Sequence, residues 1–80
     1  MPRYFFDVRD RQGVHRDDVG LDFPNMDSAI IEARRALADM TRESLMIDGA
    51  TDLSIVIRDG DEGPVNLVVS LTTERPRERS

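Results

Sequence analysis

The chain has 80 residues, of which 39% are hydrophobic and 34% are charged, and its formal net charge is −5 at pH 7. This length allows one globular domain with a small core. The absence of cysteine excludes disulfide bonds and thiolate zinc sites, and the negative charge opposes binding to nucleic acid or to anionic membranes.

The N-terminal segment MPRYFFDV contains one arginine and only a short apolar run before Asp7. A membrane span needs roughly 20 apolar residues, and a signal peptide needs a longer apolar core than this one. We therefore expect no cleaved signal and no membrane association. The absence of cysteine favours the cytoplasm.

The first predicted strand covers Arg3–Arg9, and its side chains alternate between two faces. One face carries the large apolar residues Tyr4, Phe6 and Val8. Phe5 lies between them and must point to the opposite face, which a domain with a single helix leaves uncovered. The aromatic side chain of Phe5 therefore indicates that a further contact covers this opposite face.

A second strand is predicted over residues 14–23, after a turn at residues 10–13 (DRQG), so that the two strands form a hairpin. Residues 15–18 (HRDD) are polar or charged. We therefore expect the second strand to lie at an edge of the sheet. Pro24 ends this strand.

A long helix is predicted to begin near Met26, with Asn25 or Asp27 as the residue that caps its free N–H groups. It is expected to end near residues 46–49 (MIDG), where Gly49 can adopt the left-handed conformation. Its apolar residues recur at helical spacing, and we expect them to form core rather than a cofactor site. This stripe consists of Met26, Ala29, Ile30, Ala33, Ala36, Leu37 and Met40.

Two further strands are predicted over Leu53–Asp59 and Val65–Leu71, separated by turn residues. The order ββαββ with a right-handed crossover places the third strand beside the first and antiparallel to it. The sequence thus predicts an α+β fold: a mainly antiparallel four-stranded sheet of order 2-1-3-4, with one helix on one face. Residues 1–73 form the single domain, and the polar residues 74–80 are expected to be a disordered tail.

The outer face of this sheet, opposite the helix, carries Phe5, Val56 and Val68 among polar residues. Burying these three residues removes about 250–400 Å² of apolar surface per subunit from water. Each Å² of buried apolar surface contributes about 25 cal/mol of stabilisation. Because the core is thin, we expect a homodimer, and on this hypothesis Phe5→Ser shifts the chain toward monomer. The apolar edge strand 65–71 is the other candidate interface. Scattered apolar residues also occur on monomers, so the sequence leaves the interface open.

No residue pattern indicates catalysis, a cofactor or a metal. His15 lies near Asp17 and Asp18, but no serine is marked as an activated nucleophile, so we interpret His15 as solvated. The loop 59–63 (DGDEG) places Ser70 where a calcium loop needs its closing glutamate. Arginines alternate with acidic residues, which predicts no nucleic-acid partner. We therefore do not expect an enzyme. The acidic residues interpreted as solvated are Asp17, Asp18 and Asp22.

The segments MPRYFFDVRD, GLDFPNMDSAIIEARRALADM and VNLVVSL resemble a family of small alphaproteobacterial proteins that is defined only as a domain of unknown function. The resemblance runs from Pro2 to about Leu71. It implies a bacterial origin, but it implies no activity, cofactor or catalytic residue.

A weaker resemblance is to the partially RNase H-like domain of HicB-type antitoxins, through the segment PNM and the pair Glu32-Ala33 in the helix. It implies an antitoxin-like or regulatory protein that binds a basic protein partner. Two hypotheses follow from the sequence. The first is a noncatalytic interaction module that forms a homodimer, and the alternative is this antitoxin-like protein.

Overall fold

The computed structural model describes residues 1–46, 51–60, 63–74 and 76. In these ranges one helix and five strands follow one another as β1 (Arg3–Asp10), β2 (Gly13–His15), β3 (Leu21–Asp22), α1 (Met26–Ser44), β4 (Thr51–Arg58) and β5 (Val65–Leu71). Their strand pairings are antiparallel, and the predicted α+β class is confirmed.

The sheet has the order β2-β1-β4-β5, and β3 also pairs with β1. This order agrees with the predicted order 2-1-3-4, with β4 antiparallel beside β1 and β5 beside β4. The difference is in the predicted second strand, residues 14–23, which is split into β2 and β3. Residues 16–20 leave the sheet between them as a loop, in which Gly20 has a φ of +76° that interrupts a strand.

Asn25 caps the N-terminus of α1. Of the two predicted candidates, Asn25 and Asp27, the capping residue is therefore Asn25. Asn25 has an extended backbone, and its Oδ1 accepts a hydrogen bond from the N–H of Ser28 at 2.9 Å. Near the other end, the N–H of Leu45 donates to the carbonyl of Thr41 at 2.9 Å. The helix ends before the predicted position, and Gly49 lies outside the described residues.

The core lies between the inner face of the sheet and one side of α1. Ala29 and Ala33 are fully buried, and their small side chains allow the helix backbone to approach the sheet closely. The predicted helical stripe and the predicted inner sheet face both supply core residues. The buried members are Tyr4, Met26, Ala29, Ala33, Leu37, Leu53, Ile55 and Ile57.

Most of the predicted C-terminal tail lies outside the described residues, namely residues 75 and 77–80. Disorder over residues 74–80 and a single domain over residues 1–73 therefore stay predictions. In the part of the chain that the structure describes, no helix combines the length and the apolar character that crossing a membrane requires.

We expect Ala33→Leu to lower the free energy of unfolding by about 1–3 kcal/mol, because added methylenes have no space between α1 and the sheet. Ala38→Leu is the matched control, since Ala38 is exposed on the same helix, and its effect should stay within about 0.5 kcal/mol. Urea denaturation of both variants measures the difference. Equal losses of stability would contradict this packing of α1.

Candidate functional site

An ion pair joins the two central strands on the outer face of the sheet. Arg58 of β4 donates two hydrogen bonds to Asp7 of β1, from Nε to Oδ2 at 2.7 Å and from Nη2 to Oδ1 at 3.0 Å. The side chains are largely covered, with 30% of Arg58 and 18% of Asp7 exposed. Because such a two-pronged pair is directional as well as strong, it holds β1 and β4 together on this face.

The carboxylate of Asp17 takes the place of a strand partner beside β1. β2 pairs with residues 8–10 of β1 and β3 with residues 3–4, so the segment between them faces the loop 16–20. Here the N–H of Phe6 donates to Asp17 Oδ2 at 3.0 Å. Asp17 Oδ1 accepts from the N–H groups of Val19 and Gly20, each at 3.0 Å. One carboxylate therefore organises the loop and binds it to the strand.

The backbone of Asp17 is bound to the same ion pair. Its N–H donates to Asp7 Oδ1 at 3.0 Å, and its carbonyl accepts from Arg58 Nη2 at 3.0 Å. Asp7, Asp17 and Arg58 thus form one connected set of hydrogen bonds, which we call the outer-face network. It connects two strands and a loop that are far apart in the sequence.

Phe5 is covered by its own chain. The guanidinium carbon of Arg58 lies 5.2 Å from the centre of the Phe5 ring, in the geometry of a cation–π contact. A Cβ added at Gly20 would lie 3.0 Å from two atoms of the same ring, so the glycine backbone rests against the aromatic. Phe5 is therefore half-buried within a single chain.

The three predicted interface residues lie on the outer face, on three adjacent strands. Phe5 and Val56 are half-buried, whereas 57% of Val68 is exposed. Each has a polar residue as its direct neighbour on the next strand, in the pairs Phe5–Arg58, Val56–Asp7 and Val68–Ser54. The register therefore makes Phe5 and Val56, and likewise Val56 and Val68, diagonal neighbours rather than directly opposed residues.

The charges of the outer-face network stabilise one another. Hydrogen bonds from Arg58 lower the pKa of Asp7, and the N–H groups of Phe6 and Gly20 lower the pKa of Asp17. The hydrogen bond to Asp7 in turn raises the pKa of Arg58. All three groups are charged at neutral pH, so the network is suited to holding the loop rather than to transferring protons.

The other residues that the sequence singles out do not converge. Each has a separate partner at the sheet edge or in the loop: Asp18 pairs with Arg16 at 3.8 Å, Asp22 pairs with Arg3 at 3.1 Å, and His15 Nε2 lies 3.4 Å from Asp10 Oδ1. The hydrogen bond from Arg3 lowers the pKa of Asp22. Among the described residues, no group of three histidines or acids is arranged to hold a metal ion. Residues 61–62 of the loop DGDEG lie outside the described residues.

The strand β5 forms one edge of the sheet and, within the described part of the chain, pairs with β4 alone. Its seven residues include no charge and no proline, and its pairing with β4 is regular throughout. Edge strands usually carry charges, prolines or bulges that prevent pairing with another chain. β5 has none of these features, and among the described residues no further strand pairs with it.

A groove of about 720 Å³ lies beside this edge, between α1 and β5, and we call it the α1–β5 groove. Its lining is mainly apolar and includes Leu37, Ala38, Leu45, Leu67 and Val69. The charged lining residues are two arginines of the helix, Arg34 and Arg42. None of the surfaces predicted from the sequence corresponds to this groove. One local pattern in the sequence points to it. Ala38 and Leu45 are seven residues apart and therefore lie on the same side of the helix, outside the predicted stripe.

The family model described as a domain of unknown function, DUF6894, matches residues 3–72. The match spans β1 to β5 and confirms the resemblance to a family of unknown function. No curated protein and no solved structure matches the chain. The bacterial origin and the antitoxin resemblance stay predictions.

We expect Asp17→Ala to lower the free energy of unfolding by about 2–3 kcal/mol, because three backbone N–H groups lose a charged acceptor. Asp18→Ala is the matched control, since its carboxylate is exposed and lies 3.8 Å from Arg16. Its effect should stay within about 0.5 kcal/mol. Urea denaturation at pH 7 measures both, and a stable Asp17 variant would contradict the role of this carboxylate.

Stability is also expected to fall in acid. The pKa values of Asp7 and Asp17 are lowered in the folded chain, whereas an unfolded aspartate titrates near pH 3.9. Below about pH 5 the unfolded state therefore binds more protons, and the contribution of these groups is lost progressively as the pH falls through the folded pKa values. Denaturation midpoints between pH 3 and pH 7 measure this slope. Asp17→Ala should reduce the slope, and Asp18→Ala should retain it.

Proposed function

We propose a role in protein–protein association for this chain, which belongs to the family described as a domain of unknown function, DUF6894. In this proposal the chain is a noncatalytic interaction module that forms a homodimer through the free edge of β5. The observation that carries the proposal is the edge itself. It has seven uncharged residues and, among the described residues, no strand beyond it.

The composition of β5 supports pairing with a second copy. In an antiparallel pair of identical strands related by a two-fold axis, residue i of one copy meets residue j of the other and residue j meets residue i, so like charges near the axis would repel. β5 carries no charge, and its helix-facing side chains are apolar. Two copies can therefore pair without repulsion, and the result is one continuous sheet with both helices on the same face.

The outer face is a weaker candidate for the interface. Phe5 is covered by Arg58 and by the backbone of Gly20, and Val56 is half-buried next to Asp7. Docking a second chain there would bury the ion pair between Asp7 and Arg58 further, which costs desolvation. Backbone groups at the edge of β5 are desolvated as well, but the hydrogen bonds of a new strand compensate for this cost.

The alternative hypothesis, a basic protein partner, has less support at this site. The charged residues of the α1–β5 groove beside the edge are Arg34 and Arg42, which repel a basic surface. Copurification from the native cell tests this alternative. A stoichiometric small basic protein bound to the chain would favour it over the homodimer.

We expect the purified chain to be dimeric at about 100 μM and to dissociate on dilution, since small interfaces are weak. Val68→Lys should weaken the dimer at least about tenfold, because Val68 is the middle residue of β5 and in a centred pairing faces its own copy. Val14→Lys is the matched control, as Val14 is 61% exposed on β2, at the opposite edge of the sheet. Size-exclusion chromatography with light scattering measures all three proteins.

A wild-type chain that stays monomeric at about 500 μM, or equal dissociation of both lysine variants, would contradict the proposal. The variant Phe5→Ser distinguishes an interface at the edge of β5 from an interface on the outer face. If the edge is the interface, this variant loses stability but remains dimeric. Loss of the dimer in Phe5→Ser, with Val68→Lys still dimeric, would assign the interface to the outer face instead.

A further inference from the structure

The α1–β5 groove has the size and lining of a small-molecule site. Ligand pockets in proteins commonly measure about 300–1,000 Å³ and combine an apolar lining with a few polar groups. The groove measures about 720 Å³, and Leu37, Leu67 and Val69 contribute apolar lining. It extends along the helix from Arg34 to Leu45, which corresponds to about 16 Å at 1.5 Å per residue.

The charge of the groove is opposite to that of the chain. The formal net charge is −5, yet the lining includes Arg34 and Arg42 and no acidic residue. Arg42 lies 3.7 Å from Asp39 on the same helix, and both side chains are exposed. Arg34 is exposed, and among the residues that the structure describes it forms no ion pair.

We propose that the α1–β5 groove binds a small amphiphile with an anionic head and an extended apolar chain, of the class of medium-chain carboxylates. Arg34 binds the head, because a guanidinium matches the planar carboxylate with two parallel hydrogen bonds. The apolar chain lies along the groove between α1 and β5 and ends near Leu45.

This inference goes beyond the proposed dimer. The groove is lined by residues of a single chain, but Asn66 and Val68, whose side chains lie on the outer face, also line it, so it reaches the edge of β5 that strand pairing uses. Binding is therefore measured on the monomer as well as on the dimer. Titrations at protein concentrations above and below the dissociation constant of the dimer show whether one proposal fails while the other holds.

The test titrates the full chain with sodium decanoate, with 1-decanol and with sodium acetate, by calorimetry and by NMR of backbone amides. Decanoate is expected to bind with a Kd of about 10–100 μM and to shift the amides of residues 34–45 and 66–69. Decanol should bind at least about tenfold more weakly, and acetate should not saturate, because the site needs both the head and the apolar chain.

Two variants and a control locate the site. Arg34→Gln should weaken decanoate binding about tenfold and leave decanol binding unchanged. Ala38→Trp, at an exposed position, should fill the groove and abolish binding of both while the circular dichroism spectrum is retained. Arg35→Gln is the matched control, since Arg35 pairs with Glu32 at 3.3 Å and does not line the groove.

Several results would overturn the inference. These are no saturable decanoate binding, equal losses for Arg34→Gln and Arg35→Gln, or amide shifts outside the groove. Decanoate binding that survives in a folded Ala38→Trp variant would also overturn it. If the groove is instead filled by a second copy, Ala38→Trp changes the oligomeric state and decanoate does not bind the wild-type chain.

Discussion

The outer face of the sheet depends on the contact between the carboxylate of Asp17 and the backbone of β1. Residues 16–20 leave the sheet, and without a substitute acceptor the N–H of Phe6 would lose its partner. The carboxylate supplies that acceptor and at the same time closes the loop through two further N–H groups. The loop can then cover Phe5, and Asp7 and Arg58 are held in place around it.

The outer face and the edge of β5 therefore differ in the contacts that their polar groups make. On the outer face Asp7 and Arg58 are paired within the chain and the ring of Phe5 is covered, so a partner there would have to desolvate contacts that are already made. At the edge of β5 no strand lies beyond it among the described residues, and the strand carries no charged side chain.

The groove beside that edge shows why net charge is a poor guide to a local site. The chain as a whole is acidic, but two arginines and no acid line the space between α1 and β5. Charges farther apart than about 8–10 Å are largely screened in physiological salt, so the potential in the groove depends on nearby groups, which include Asp39 beside Arg42. The strand edge and the groove are neighbours on one side of the molecule.

The sequence by itself determined the α+β class, the position of α1, the capping region and the faces of the strands, because these depend on neighbours within a few residues. It also predicted the sheet order, since few topologies fit ββαββ. Only the tertiary structure decided the split of the second strand, the cover of Phe5 and the groove. The pair of Asp7 and Arg58 spans 51 residues, and with 16 acids and 11 arginines in the chain no local pattern selects that pair. Asp17 and Asp18 are adjacent acids in the sequence, and only the folded backbone shows which one faces three N–H groups.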